Sequence, residues 1–323
     1  PSDPQDDLDS LVNSPSSFSA TSGERGTIKA KADFDAGDDA VALRKAIEGL
    51  GTREKTLIDV LTRRSSAQRQ LICAAYQEAT GRSLEEDLRG DTHGDFEEVL
   101  VALVTPPAAY DCHEVARAMK VSLSSLFFSS VCNQSHALIL DVFFFPTETE
   151  KKLTLDLKKE VSGQYSQALL LLAEGKRDES TTVDPEKAKE DAKTLYDAGE
   201  KKWGTDESKF IDILCHRSIP QLRQTLIEYK NISGKSLQQS IEGEMSGKLE
   251  ELLVAIVKCV KSVPAYMAER LYESMKGGGT DEATLNRIMV SRSEIDLLDI
   301  RAEFKKLYSY SLHSAIEVSD CVP

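Results

Sequence analysis

The chain is poor in the residues that would tie it to several common chemistries. One tryptophan and five histidines occur in 323 residues, and the histidines do not fall beside cysteines at the spacing a zinc site needs. The six cysteines are scattered, with no C-x-x-C pair. That usage fits a reducing compartment better than a disulfide-stapled secreted fold. No apolar segment follows a basic start at the N-terminus, so no secretory signal is visible. There is no P-loop, no catalytic zinc phrase and no nucleophile–base pair at a recognised spacing, which argues against an enzyme. The EF-hand phrase D-x-[DN]-x-[DN]-G is missing too. Cationic charge is in deficit, since 54 acidic against 40 basic residues leave a net −14. A surface of that sign is repelled by nucleic acid and by anionic lipid. Approach to an anionic membrane therefore needs a cation between the two.

What the chain does have is a repeat. Gly51-Thr52 is followed by Asp91, forty positions after the glycine, and Gly204-Thr205 by Glu244 at the same distance. A third copy, Gly279-Thr280, meets only Ser319 there. A shift of 153 superimposes residues 51–104 on 204–257 without a gap, and a further shift of 75 brings in 279–320. Leu57, Val60 and Leu61 fall on Phe210, Ile213 and Leu214, then on Leu285, Ile288 and Met289. That i, i+3, i+4 spacing is the stripe of an amphipathic helix. The threonine before each stripe is placed as an N-cap, and Glu54, Glu207 and Glu282 fall in the first turn, where the helix dipole favours an anion.

Further stripes follow in each copy. Leu84 and Leu88 match Leu237 and Ile241, then Leu312 and Ile316; Phe96, Leu100 and Leu103 match Leu249, Leu253 and Ile256. Strand patterns are nearly absent, so the class is all-α. No single copy can bury all its stripes, so the copies are expected to pack on one another.

The spacing leaves room for a second repeat between the first and third. Its later half is present: Leu153, Leu157, Glu160, Gly163, Tyr165, Leu169 and Leu172 match the first repeat at an offset of 69. Residues 121–150 carry no such match, and their Asn133, Gln134, His136 and Asp141 make a poor transmembrane span. The organisation expected is a flexible tail (1–26), repeat 1 (27–107), repeat 2 (108–178, with 121–150 atypical), a linker (179–189), repeat 3 (190–263) and a shortened repeat 4 (264–323).

The repeated loop, the forty-residue spacing, the Arg-Ser turns (Arg64-Ser65, Arg217-Ser218, Arg292-Ser293) and the four-repeat layout resemble the annexins. The lines TLIDVLTRRSSAQRQLI and AGEKKWGTDESKFIDILCHRS carry the resemblance most strongly. It covers roughly residues 27–120 and 151–318 and departs at 121–150. It departs again at the chain end, where the family continues with a Ser-Gly turn and a last helix; Leu285 and Ile316 are therefore expected to be partly uncovered. The recurring Arg64, Arg217 and Arg292 are expected to satisfy helix ends or pair with carboxylates.

The resemblance implies a slightly curved disc of four repeats, each of about five helices. It implies calcium-dependent binding to anionic phospholipid, inhibition of phospholipase A2 by covering its substrate, and a role in membrane traffic or exocytosis. It also implies a cytoplasmic protein that becomes peripheral at membranes when calcium rises. The alternative is a calcium-independent helical-repeat scaffold acting through protein partners, with the tail as a docking segment. Nucleic acid is not an expected partner.

Calcium is a hard cation that takes six to eight oxygens, many of them main-chain carbonyls. By resemblance, the first repeat offers the carbonyls of Ile47, Gly49 and Gly51 with the carboxylate of Asp91. The third offers the carbonyls of Gly199, Lys202 and Gly204 with Glu244. Weaker metal positions are Thr52 with Glu54, for which a purely helix-starting role is at least as good, and Met275, Gly277 and Gly279 in the fourth repeat, which lacks the acid. Glu160 survives in the second repeat without a loop to serve. Trp203 lies in the third loop, and its indole suits a membrane–water interface; a place in its own core is the competing role.

Overall fold

A computed structural model of the chain describes residues 25–48, 51–121, 163–173, 175, 177–200, 204–277 and 279–319. Those residues form sixteen helices and no strand, as the stripes imply. The first repeat holds α1 (Ala36–Ile47), α2 (Glu54–Leu61), α3 (Ser66–Thr80), α4 (Leu84–Asp91) and α5 (Gly94–Val104). Then come α6 (Pro107–Val121) and α7 (Gly163–Ala173). The third repeat holds α8 (Pro185–Ala198), α9 (Glu207–His216), α10 (Ile219–Ser233), α11 (Leu237–Glu244) and α12 (Lys248–Lys261). The fourth has α13 (Val263–Met275), α14 (Glu282–Arg292), α15 (Leu297–Tyr308) and α16 (Leu312–Ser319). None of the helices is long and apolar enough to cross a membrane among the described residues. The chain divides into two compact units, one of residues 20–113 with 267–323 and one containing 114–266.

Local signals set the helix ends. Ser65 and Gln68 form a capping box at α3, and Ser236 and Gln239 form the same box at α11. Each pairing satisfies two of the backbone N–H groups that a helix start leaves open. Asp184 caps α8, accepting from Glu186 N and Lys187 N, so helix begins inside the segment read as linker. Helices α3 and α10 stop at Gly81 and Gly234, both left-handed; α15 stops the same way at Ser309, φ +68°, the only non-glycine with positive φ among the described residues.

In the unit that holds repeats 1 and 4, Leu43, Leu57, Leu61, Ile72, Leu84 and Leu88 are buried in one core, and Val290 of α14 packs against it. Each fully buried leucine contributes about 2 kcal/mol. Leu285 is also buried, at 6% exposure, and α14 packs on α5, so the expected uncovering of Leu285 does not occur; Ile316 is half-buried. The chain at Arg25–Ile28 straps onto repeat 4. Thr27 N and Ile28 N both donate to Ser293 O (2.7 and 3.0 Å), Leu298 N donates to Arg25 O, and the Arg25 guanidinium pairs with Asp299. Arg25, which the sequence reading places in the tail, is thus anchored. In the other unit Phe210, Leu222, Tyr229, Leu237 and Leu253 are buried, and α8 packs on α10 as α1 does on α3.

The recurring arginines are ion-paired. Arg64 donates twice to Asp39 (2.6 and 2.8 Å) and Arg217 twice to Asp191 (2.7 and 2.9 Å), in matching positions of repeats 1 and 3. In repeat 4 the matching position is the buried Met267, and Arg292 turns instead to Asp296, one helical turn on. Asp111 pairs with Arg287, which is fully buried and also stands over the Tyr110 ring. Burial raises the Asp111 carboxyl above its usual range, against the opposing pull of Arg287.

Candidate metal centre

Three loops share one construction. Each follows the C-terminus of a helix, where main-chain carbonyls lack intrahelical partners and the dipole is negative. Each is closed by one backbone hydrogen bond: Arg53 N to Ala46 O (3.0 Å), Asp206 N to Ala198 O (2.9 Å) and Asp281 N to Ser274 O (2.7 Å). The third-repeat loop is one residue longer than the other two. Gly51 and Gly204 take nearly the same left-handed φ, +84° and +85°, and a Cβ at either would meet nothing within 4 Å. Glycine is needed there for backbone conformation rather than for space.

The distant acids end the neighbouring helices. Asp91 is the last residue of α4 and Glu244 the last of α11, and both are exposed. The Thr52 hydroxyl donates to Asp91 O (2.9 Å) and the Thr205 hydroxyl to Glu244 O (3.3 Å). The threonines therefore are not N-caps. The caps of α2, α9 and α14 are Arg53, Asp206 and Asp281, one residue later. A hydroxyl next to a helix start can serve either use, and here the carbonyl brought in from the next loop takes it. Among the described residues no ion pair engages Asp91 or Glu244. Glu54 stands in the first turn of α2, as Glu207 and Glu282 do in theirs.

The fourth loop keeps the closing bond but neither the left-handed glycine at the position of Gly51 and Gly204 nor the charge. Met275 ends α13, Gly277 has φ +115°, Gly279 is exposed, and Ser319, at the end of α16, donates its hydroxyl to Ile316 O. Of the sequence-derived positions, Thr52 meets Asp91 in repeat 1 and Thr205 meets Glu244 in repeat 3, while Ile47 and Gly51, and Gly199 and Gly204, belong to the loops those threonines sit in. Gly49, Lys202, Trp203 and Glu160 lie outside the described residues.

No group of three or more His, Cys, Asp or Glu side chains gathers among the described residues. A metal on these loops would take one carboxylate and main-chain oxygens. That all-oxygen set suits calcium or magnesium chemistry rather than zinc or iron, and its irregular carbonyls suit calcium better than an octahedral ion. His216, at the end of α9, is occupied by Asp212.

A family model described as Annexin matches residues 38–103, 190–256 and 266–321. The chain is 53% identical to human Annexin A3 over 298 residues, covering 91% of this chain and 92% of that protein. The solved structure of annexin III is similar over 92% of this chain and 93% of its own, with TM-score 0.89 and 53% identity. A solved structure described as calcium-bound annexin (Sm)1 is similar at 31% identity and TM-score 0.79, covering 91% of this chain and 89% of that one.

Proposed function

The chain belongs to the annexin family, and on that premise we propose that it binds anionic phospholipid membranes through calcium held on the first and third loops. Calcium-dependent phospholipid binding is the property of the family at large. The positions proposed to carry it here are the carbonyls of Ile47, Gly49 and Gly51 with Asp91, and those of Gly199, Lys202 and Gly204 with Glu244. A bound calcium supplies positive charge and open coordination positions that a lipid phosphoryl oxygen can fill. The residues do the rest. The left-handed glycines turn the carbonyls of each loop, the threonine hydroxyls tie each loop to its acid, and the carboxylates neutralise the ion.

One observation carries this reading: the same threonine-to-acid tie is made in repeats 1 and 3, where both loop and carboxylate survive. Met275, Gly277 and Gly279 are proposed as a weaker position, and Thr52 with Glu54 as a secondary one. Trp203 is proposed to contact the headgroups, and covering of the lipid to inhibit phospholipase A2. A cytoplasmic protein recruited to membranes for traffic or exocytosis completes the proposal.

Vesicle co-sedimentation tests it. The chain should pellet with phosphatidylserine vesicles in calcium and stay in solution with chelator. An Asp91→Ala, Glu244→Ala double variant should lose most binding, and full retention by that variant would rule out these loops as the bridge. Binding indifferent to chelator would favour the calcium-independent scaffold, acting through protein partners such as one docked on the tail. A Trp203 emission unchanged by calcium and vesicles would remove the headgroup contact.

A further inference from the structure

The third loop is the longest of the three, and besides its threonine tie it carries a carboxylate held by side chains of α10–α11. Glu200 lies in it, directly after Gly199. Its carboxylate accepts two bonds from Lys235 Nζ (3.0 and 3.1 Å) and one from the Ser240 hydroxyl (3.0 Å). The anchor is stiff: Ser240 is 2% exposed, and the Ser233 hydroxyl holds Lys235 through both its N–H and its carbonyl.

Repeat 1 distributes the same groups differently. There Asp87 stands at the position of Ser240, and it takes the Tyr76 hydroxyl (2.7 Å) and the Arg82 guanidinium. Burial, then the Asp87 carboxylate, raises the Tyr76 phenol above its usual range. The loop residue matching Glu200 is Glu48, which bonds back to Arg44 on its own helix (2.9 Å). One carboxylate, one base and one tyrosine occur in both repeats, but only in repeat 3 does the acid belong to the loop. Repeat 4 has replaced the polar set altogether: Phe304, Tyr310 and Ala315 stand at the positions of Tyr229, Lys235 and Ser240, with Phe304 and Tyr310 in edge contact. That is also the repeat whose loop has no acid.

An extra loop residue adds conformations that cation binding must suppress. We propose that Glu200 is a positioning residue of the third loop, latched by Lys235 and Ser240, and that this latch offsets the added residue by holding Gly199 and its neighbours ready for the cation. The inference rests on the calcium reading of the loops but is tested apart from it.

Hydrogen–deuterium exchange in chelator, with no metal present, reads the latch alone. Glu200→Gln should speed exchange across 199–206 severalfold and leave 46–53 unchanged. Calcium titration followed by Trp203 emission reads its consequence. The calcium midpoint should rise about three- to tenfold, a range set by a charge-assisted bond discounted for a half-exposed lysine. Lys235→Arg should behave as wild type, and Lys235→Gln as Glu200→Gln. The swap Glu200→Lys with Lys235→Glu should recover most of what Glu200→Lys loses. Unchanged exchange and midpoint in Glu200→Gln, or a swap no better than its Glu200→Lys parent, would overturn the proposal. A wild-type protein that fails to pellet with phosphatidylserine vesicles in calcium would sink the functional reading instead, while the exchange experiment still decides the latch.

Discussion

At the scale of single residues, the polar atoms that matter most here are the ones whose partners are far away in sequence. Thr52 reads locally as the start of a helix, because a threonine ahead of an amphipathic stripe is an N-cap signal. The structure gives its hydroxyl to Asp91 O instead. No local pattern could show that, since the competing acceptor arrives 39 positions later. The glycines and the acids were legible because they repeat at a fixed spacing; the tie between them was not. Thr52→Val and Thr205→Val should each raise the calcium requirement of their own loop. A net hydrogen bond is worth about 1 kcal/mol, or roughly a fivefold change in midpoint. Calorimetric titration checks this, and melting temperatures should barely move because both bonds lie at the exposed surface. The reverse pattern is expected at Asp39. Its carboxylate accepts two buried hydrogen bonds from Arg64, so Asp39→Ala strands a buried guanidinium and should cost about 3–5 kcal/mol by chemical denaturation, without altering the calcium midpoint of the third loop.

At the scale of elements, helix existence came from periodicity and helix ends from chemistry that periodicity cannot see. The stripes at Leu57, Val60 and Leu61 and at Phe210, Ile213 and Leu214 all point into cores. The start of α8 was hidden because residues 184–189 are polar, yet Asp184 and Pro185 make a good helix start there. The burial of Leu285 was likewise illegible, since its cover is a matter of which helices meet and α14 lies on α5. Ser309 is a place where sequence and structure conflict. It closes α15 with φ +68°, where Gly81 and Gly234 close the matching helices. A left-handed residue with a Cβ costs about 1–2 kcal/mol. Ser309→Gly should therefore stabilise the chain by about 1 kcal/mol, less the greater entropy of glycine in the unfolded state, and a thermal melt should show the gain. Gly26 presents the opposite case. A Cβ there would sit 2.4 Å from the Glu294 carbonyl carbon, closer than real contacts allow. Gly26→Ala should push the strap off repeat 4 and cost about 1–3 kcal/mol, as overpacking generally does; faster exchange at the Thr27 and Ile28 amides would report the displacement.

At the scale of the whole molecule, the sign of the net charge decides how the protein meets a membrane. A chain with net charge −14 meets an anionic bilayer as a like-charged body, and over distances beyond about 10 Å that repulsion is set by the ionic strength. A direct electrostatic binder has a basic face and gains affinity as salt is removed. This protein, acting through calcium, should do something different. In chelator, lowering the salt should not produce binding to phosphatidylserine vesicles, because reduced screening strengthens repulsion as much as attraction. With calcium present and saturating, the bridge is a set of short metal–oxygen contacts that screening hardly reaches, so moderate salt should weaken binding only slightly through the free ion's activity. Vesicles made cationic should attract the chain with or without calcium. Co-sedimentation across these conditions separates the cases. Calcium-free binding to anionic vesicles that grows as salt falls would reveal a basic face behind the net charge, and the metal would then cease to be the link between protein and membrane.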